Sequence, residues 1–81
     1  MFIVYALRSV ARNYIYVGMT SDLQVRLERH NKGYERTTKP YAPFELIYFE
    51  ELPDRISARK REKFLKSGQG KDFLRDQLSR K

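Results

Sequence analysis

The chain is expected to fold as a small α/β (α+β) domain, a three-stranded, mainly antiparallel sheet flanked by helices in the order β-β-α-β-α-α. Three observations predict this. Phe2 to Leu7 is a continuous apolar run, later stretches carry helical periodicity with start and stop residues, and 81 residues without a low-complexity segment leave room for one modest core. Residues 1–81 are therefore read as a single domain.

Phe2 to Leu7 is rich in β-branched and aromatic residues, which suggests a strand buried on both faces at the centre of a sheet. Tyr14 to Val17 reads as a second strand, ended by Gly18, and the loop from Arg8 to Asn13 is short enough for a hairpin. A hairpin symmetric about Val10 and Ala11 sets Tyr5 opposite Tyr16, with both side chains on one face. A slip of one residue would part them.

Ser21-Asp22-Leu23-Gln24 resembles a capping box with Ser21 as the cap, so a helix is expected from Asp22 to Asn31. Gly33 can close it in the left-handed conformation. Leu23, Arg26, Leu27 and His30 share one sector, the leucines seated on the sheet and the two polar groups at their margin. Residues 34–43 read as a loop and Phe44 to Glu50 as the third strand. Asp54 can cap a second helix reaching Lys66, which Ser67-Gly68 stops. A third helix is expected from Gly70 or Lys71 to about Leu78.

Lys and Arg number 17 against 10 acidic residues, a formal charge of +7, and such a surface attracts polyanions. With aromatics at 14%, nucleic acid is the leading partner, although charge alone also allows ribosome or membrane binding. The absence of cysteine excludes disulfides, thiolate metal sites and Cys nucleophiles, and a single His excludes a multi-histidine zinc site. The apolar start lacks a basic leader and is too short to span a bilayer, so a cytoplasmic location without membrane association is expected.

Taken singly, the candidate residues each have an ordinary reading. Tyr5 and Tyr16 suit a strand core, Arg26 can cover a helix flank, and His30 can favour a helix dipole. Glu62 can neutralise the basic run around it, yet its spacing from Ala58 and Leu65 sets it beside the apolar stripe, toward the sheet edge. Their order and spacing together say more. Ile3-Val4-Tyr5, Tyr16-Val17-Gly18, Arg26-Leu27-Glu28-Arg29-His30-Asn31-Lys32-Gly33 and Ala58-Arg59-Lys60-Arg61-Glu62-Lys63-Phe64-Leu65-Lys66 resemble the GIY-YIG nuclease family over almost the whole chain. Thr37-Thr38-Lys39-Pro40-Tyr41 and Leu65-Lys66-Ser67-Gly68-Gln69-Gly70-Lys71 look like its small stand-alone bacterial branch, similar to the N-terminal nuclease domain of the excision-repair incision subunit. The first motif lacks its eponymous glycine, Val17 stands where isoleucine is usual, and no Asn follows Asn31, where some relatives carry a late site asparagine.

The resemblance implies a metal-dependent endonuclease acting on nucleic acid, DNA before RNA, with a partner protein as one possible source of specificity. Tyr5 and Tyr16 would be paired hydroxyls, with Tyr16 as general base, Arg26 a phosphate contact, His30 an accessory proton or hydrogen-bond partner, and Glu62 the ligand of one Mg²⁺ or Mn²⁺. Gly18 would allow a close backbone approach after Tyr16. A hard cation of this kind keeps most of its waters and needs only one or two carboxylates. A free phenol has a pKa of about 10, so such a base needs help from a cation or a neighbouring hydroxyl, for which Tyr5 is the candidate. Arg26, Lys60, Lys63, Lys66 and Lys71 are the expected nucleic-acid contacts.

The alternative is a non-catalytic nucleic-acid-binding module with the same fold. A nucleotide cradle at Gly68-Gln69-Gly70-Lys71 is too short for a P-loop and follows no strand, so Gly68 is read as a helix stop. A structural protein on a ribosomal or membrane surface would not require the polar constellation.

Overall fold

The computed structural model describes residues 1–79 as an antiparallel sheet of β1 (Phe2–Ser9), β2 (Ile15–Thr20) and β3 (Phe44–Leu52), in the order β2-β1-β3. Helix α1 (Leu23–Asn31) and a 3₁₀ turn (Lys39–Tyr41) join β2 to β3, and α2 (Arg55–Lys66) and α3 (Gly68–Ser79) complete the expected order. β1 is central, and Val4, Tyr5, Ala6 and Leu7 have no solvent exposure, as the apolar run predicts. No described helix is long and apolar enough to cross a membrane.

Alternation along the strands builds two cores. Val4, Ala6 and Val17, with Ile47, pack against Ala58, Leu65 and Leu74 of α2 and α3. Tyr5, Leu7 and Phe44 pack on the other face with Tyr14, Tyr16, Leu23, Leu27 and Tyr41. The β1–β3 register shifts between Ala6 and Leu7, which leaves Ile47 opposite no residue and turns it into the first core. The first and second helices therefore cover opposite faces of the sheet.

The hairpin register differs from the expectation by two. Tyr5 faces Gly18 and Leu7 faces Tyr16, because the turn centres between Ala11 and Arg12. The Ser9 side chain sets that centre: its Oγ accepts from the Arg12 N–H at 3.0 Å and donates to the Tyr41 carbonyl at 2.6 Å. The Ser9 N–H meets the Tyr14 carbonyl at 2.9 Å. An even shift preserves parity, so Tyr5 and Tyr16 still share a face, as diagonal neighbours with ring centroids 6.2 Å apart. β2 also continues through Gly18 to Thr20, where the sequence suggested an end. Gly18 lies under the two rings: a Cβ there would stand 2.7 Å from the Tyr5 Oη and 2.9 Å from a Tyr16 ring carbon.

Asp22, not Ser21, caps α1, its carboxylate accepting from the Val25 N–H at 3.2 Å. Thr20 Oγ1 in turn accepts from the Asp22 N–H, which holds the cap residue in its extended conformation. Gly33, at φ +76°, closes the helix as expected, with the Gly33 N–H on the His30 carbonyl and the Tyr34 N–H on that of Arg29. Asp54 caps α2 by accepting from the Ser57 N–H at 2.8 Å.

The break after α2 is made by Ser67, not by Gly68. Ser67 is extended, at ψ 169°, and its hydroxyl donates to the Phe64 carbonyl while accepting from the Gly70 N–H. Gly68 begins α3, two or three residues before the predicted start at Gly70 or Lys71. Gly70 is buried against the end of α2, and the Lys71 ammonium donates to the Ile15 carbonyl at 3.1 Å. This segment is a packed helical turn, which leaves no phosphate cradle.

Candidate active site

Tyr16 of β2, Arg26 of α1 and Glu62 of α2 line one cleft of about 400 Å³. It opens along β2, the edge strand, where the two helical layers meet around the sheet, so residues from both faces reach it. Arg55 and Arg59 of α2 line it too, with Thr20 and Ser21 at the end of β2. The two arginines stand seven and three residues before Glu62, which puts all three on one side of the helix. That spacing is visible in the sequence, at Arg55, Arg59 and Glu62. Arg8, Arg26, Arg29, Arg61 and Arg75 each have a carboxylate within 4.0 Å, whereas among the described residues Arg55 and Arg59 have none.

Glu62 keeps 16% of its side-chain surface exposed, and its Oε2 lies 3.4 Å from the Lys66 ammonium one turn on. Arg26 is held from behind by Glu35, whose Oε1 is 3.8 Å from the Arg26 Nε and 2.9 Å from the Arg29 Nε. Paired first with Arg29, the Glu35 carboxyl is held below the usual carboxylate range. The Arg26 Nε is buried and, among the described side chains, has no hydrogen-bond partner. That atom faces Glu35 out of reach of the solvent, while 39% of the Arg26 side chain stays exposed and the residue lines the cleft.

Tyr5 and His30 lie beneath the cleft wall. Tyr5 is fully buried, and its hydroxyl is 3.0 Å from the His30 Nε2. Burial, reinforced by nearby Tyr16, pushes the Tyr5 phenol far above the ordinary tyrosine range although Arg26 opposes the shift. Tyr5 therefore stays protonated. His30 is 1% exposed and so not at the margin of its helix, as the sequence suggested. The rings of Tyr5, Tyr16 and Phe44 surround it, that of Tyr16 at 4.8 Å, and the Thr38 hydroxyl lies 2.9 Å from its Nδ1. Burial lowers the His30 pKa, Arg26 and Arg29 adding to this against Glu35, which keeps the imidazole neutral at physiological pH. Glu35 and Thr38 come from the loop after α1, where no sequence periodicity could single them out.

The expected lysine contacts divide. Lys60 and Lys63 border a groove of about 290 Å³ that shares Arg55 and Arg59 with the cleft, extending the basic surface along α2. Lys66 is engaged by Glu62. Lys71 lines a pocket with no residue in common with the cleft, and burial lowers its pKa beside the Ile15 carbonyl that it serves.

No group of three or more His, Asp or Glu able to hold a metal occurs among the described residues. Among the described residues Glu62 is the one carboxylate lining the cleft, with the hydroxyl-bearing Tyr16, Thr20 and Ser21 on the same walls. This all-oxygen set fits a hard cation that retains most of its water and does not fit a metal needing nitrogen or sulfur ligands.

Residues 1–74 match the model of the GIY-YIG catalytic domain. Over 62 residues the chain is 44% identical to a UPF0213 protein of Pediococcus pentosaceus, a match covering 75% of this chain and 64% of that protein. Over 53 residues it is 34% identical to a UPF0213 protein of Clostridium perfringens, covering 64% and 57%. Each match thus spans less than two thirds of the relative's length. No solved structure matches the chain. With a family match from the first strand into the last helix, and with the motif tyrosine, arginine and glutamate around one cleft, the chain belongs to the GIY-YIG catalytic domain family.

Proposed function

We propose that residues 1–81 act as one nuclease domain, a divalent-metal-dependent endonuclease that hydrolyses phosphodiester bonds of nucleic acid, DNA in preference to RNA. The observation that carries this reading is the convergence of Tyr16, Arg26 and Glu62 on one cleft from three elements. A binding module with no chemistry to perform needs cations there, but no carboxylate among them.

In the proposed reaction the scissile phosphate enters with its non-bridging oxygens against Arg26, Arg55 and Arg59. These guanidiniums neutralise charge that grows on the phosphoryl oxygens as water attacks. Tyr16, as its phenolate, takes the proton from that water and becomes a neutral phenol, the new P–O bond forms, and the bond from phosphorus to the 3′ oxygen breaks as that oxygen gains a proton from solvent. Glu62 would hold Mg²⁺ or Mn²⁺, which supplies positive charge for the leaving oxygen. Tyr5 stays a neutral hydrogen-bonding group under the site, so the base role falls to Tyr16 alone.

The full chain should convert supercoiled plasmid to open circles with Mg²⁺ or Mn²⁺ and fail to do so in EDTA. Arg26→Ala should slow the conversion by about 10²–10³-fold, the loss expected when one preorganised contact to the reacting group is removed. Cutting at the wild-type rate by Arg26→Ala, or binding without cutting of supercoiled, branched and single-stranded substrates alike, would sink the proposal and favour the binding module.

Arg55 and Arg59, having no carboxylate partner, should act chiefly through phosphate contacts. Arg55→Ala and Arg59→Ala should each weaken DNA binding and lower the slope of log K against log salt by about one, measured by fluorescence anisotropy. An unchanged slope would place them outside the interface.

A further inference from the structure

Thr38 has no part in the cleft, yet it is fully buried and touches the one imidazole of the chain. We propose that Thr38 is a positioning residue: it accepts the Nδ1 proton of His30, fixing the tautomer whose bare Nε2 accepts the Tyr5 hydroxyl proton, and so holds the Tyr5 oxygen under the Tyr16 ring.

Proton counting supports this direction. A threonine hydroxyl has a single proton, and the Glu35 carbonyl, 3.4 Å from the Thr38 Oγ1, is an acceptor for it other than His30. The Thr38 lone pair is then left for His30, whose Nδ1 must carry the imidazole proton. The bare Nε2, 3.0 Å from the Tyr5 hydroxyl, becomes the acceptor for that group. In the opposite tautomer Nε2–H would point at the Tyr5 oxygen. The Tyr5 O–H, with no solvent exposure, would then have no acceptor among the described residues. A buried donor stranded in this way carries its full desolvation cost. The charged and titratable groups around the imidazole are Tyr5, Tyr16, Arg26, Arg29 and Glu35, and it stays neutral among them.

The relay bears on chemistry because the Tyr5 oxygen, having given its proton to His30, offers only lone pairs to other neighbours. The Arg26 guanidinium is close enough for its charge to oppose the rise in the Tyr5 pKa. On this reading Tyr5 turns lone pairs toward Arg26 and keeps its own proton for His30, so it has none to give to Tyr16. Thr38, two residues removed in the chain of contacts, sets this polarity.

The catalytic half of the inference rests on the nuclease reading, and the tautomer does not. Because the chain has one histidine, ¹⁵N-histidine labelling of the full protein gives a single imidazole to read by NMR. Wild type and Thr38→Ser should show a protonated Nδ1 and a bare Nε2 at neutral pH. Thr38→Val, matched in shape but unable to accept, should lose that preference and slow kcat for nicking by roughly tenfold at unchanged KM, as for one lost buried hydrogen bond. Thr38→Ser should restore kcat.

A wild-type spectrum with the proton on Nε2, or a Thr38→Val spectrum like that of wild type, overturns the proposal. Since the wild-type spectrum decides the tautomer, the test survives a Thr38→Val protein that fails to fold. Unchanged kcat in a Thr38→Val protein whose tautomer has shifted removes the positioning role while leaving the nuclease reading intact. Absence of cutting by wild type sinks the nuclease reading, and the catalytic half with it, while the spectrum still decides the tautomer.

Discussion

Tyr16→Phe should slow metal-dependent nicking by about 10²–10⁴-fold, the range spanned by general-base catalysis, without unfolding the protein. The two tyrosines differ in what surrounds their hydroxyls. That of Tyr5 is locked to His30 in the interior, and burial holds it protonated. Tyr16 lines the cleft, half-buried, and its hydroxyl has no hydrogen-bond partner among the described residues, so its removal strands nothing. Its ring contacts with Tyr5 and His30 survive in phenylalanine, and Tm should stay within a few degrees. Glu62→Gln should also cut poorly, with the loss concentrated in the response to Mg²⁺, while Tyr16→Phe keeps its metal dependence at a lower rate. A Tyr16→Phe enzyme with wild-type kcat would remove the base from the mechanism and leave the attacking water activated by other means.

The elements legible in the sequence are those whose causes are local. A run of apolar β-branched and aromatic residues announced the central strand, Asp54 announced the start of α2, and Gly33 announced the left-handed end of α1. What escaped was set by distant partners. The hairpin turn is centred by Ser9, whose hydroxyl is shared between the Arg12 N–H nearby and the Tyr41 carbonyl 32 residues on. Counting from the middle of the loop cannot foresee that bond. The error of two spared the shared face of Tyr5 and Tyr16 only because strand parity is insensitive to an even shift.

The same division holds within the site. Tyr16, Arg26 and Glu62 could be singled out because their motifs are contiguous, whereas their meeting place is not written in any one of them. Helical periodicity shows which side of α1 or α2 is apolar but does not say which face of the sheet each will cover. With the two helices on opposite faces, the cleft falls at the open edge of β2, and that brings Arg55 and Arg59 into it. His30 was misplaced for a related reason. A histidine next to a helix terminus reads as exposed until Phe44 and Thr38, from segments beyond the helix, are folded over it.

Gly70→Ala should cost more stability than any other alanine substitution of a glycine in the chain. An added Cβ would stand 2.0 Å from the Phe64 carbonyl oxygen and 2.4 Å from the Leu65 Cα, both backbone atoms of the last turn of α2. No rotamer change moves backbone out of the way, so α2 and α3 must part, opening the core where Leu65 and Leu74 are fully buried. A loss beyond about 4 kcal/mol is expected, comparable with the whole stability of a domain this small, so the variant should be largely unfolded at room temperature by circular dichroism and urea titration. Gly68→Ala is the internal control. Nothing lies within 4 Å of its added Cβ, and helix propensity favours alanine there by up to about 1 kcal/mol. If both variants melt near wild type, the close seat of α3 on α2 is wrong. The placement of α2 against the sheet, which carries Glu62, Arg55 and Arg59 to the cleft, would then lose its main brace.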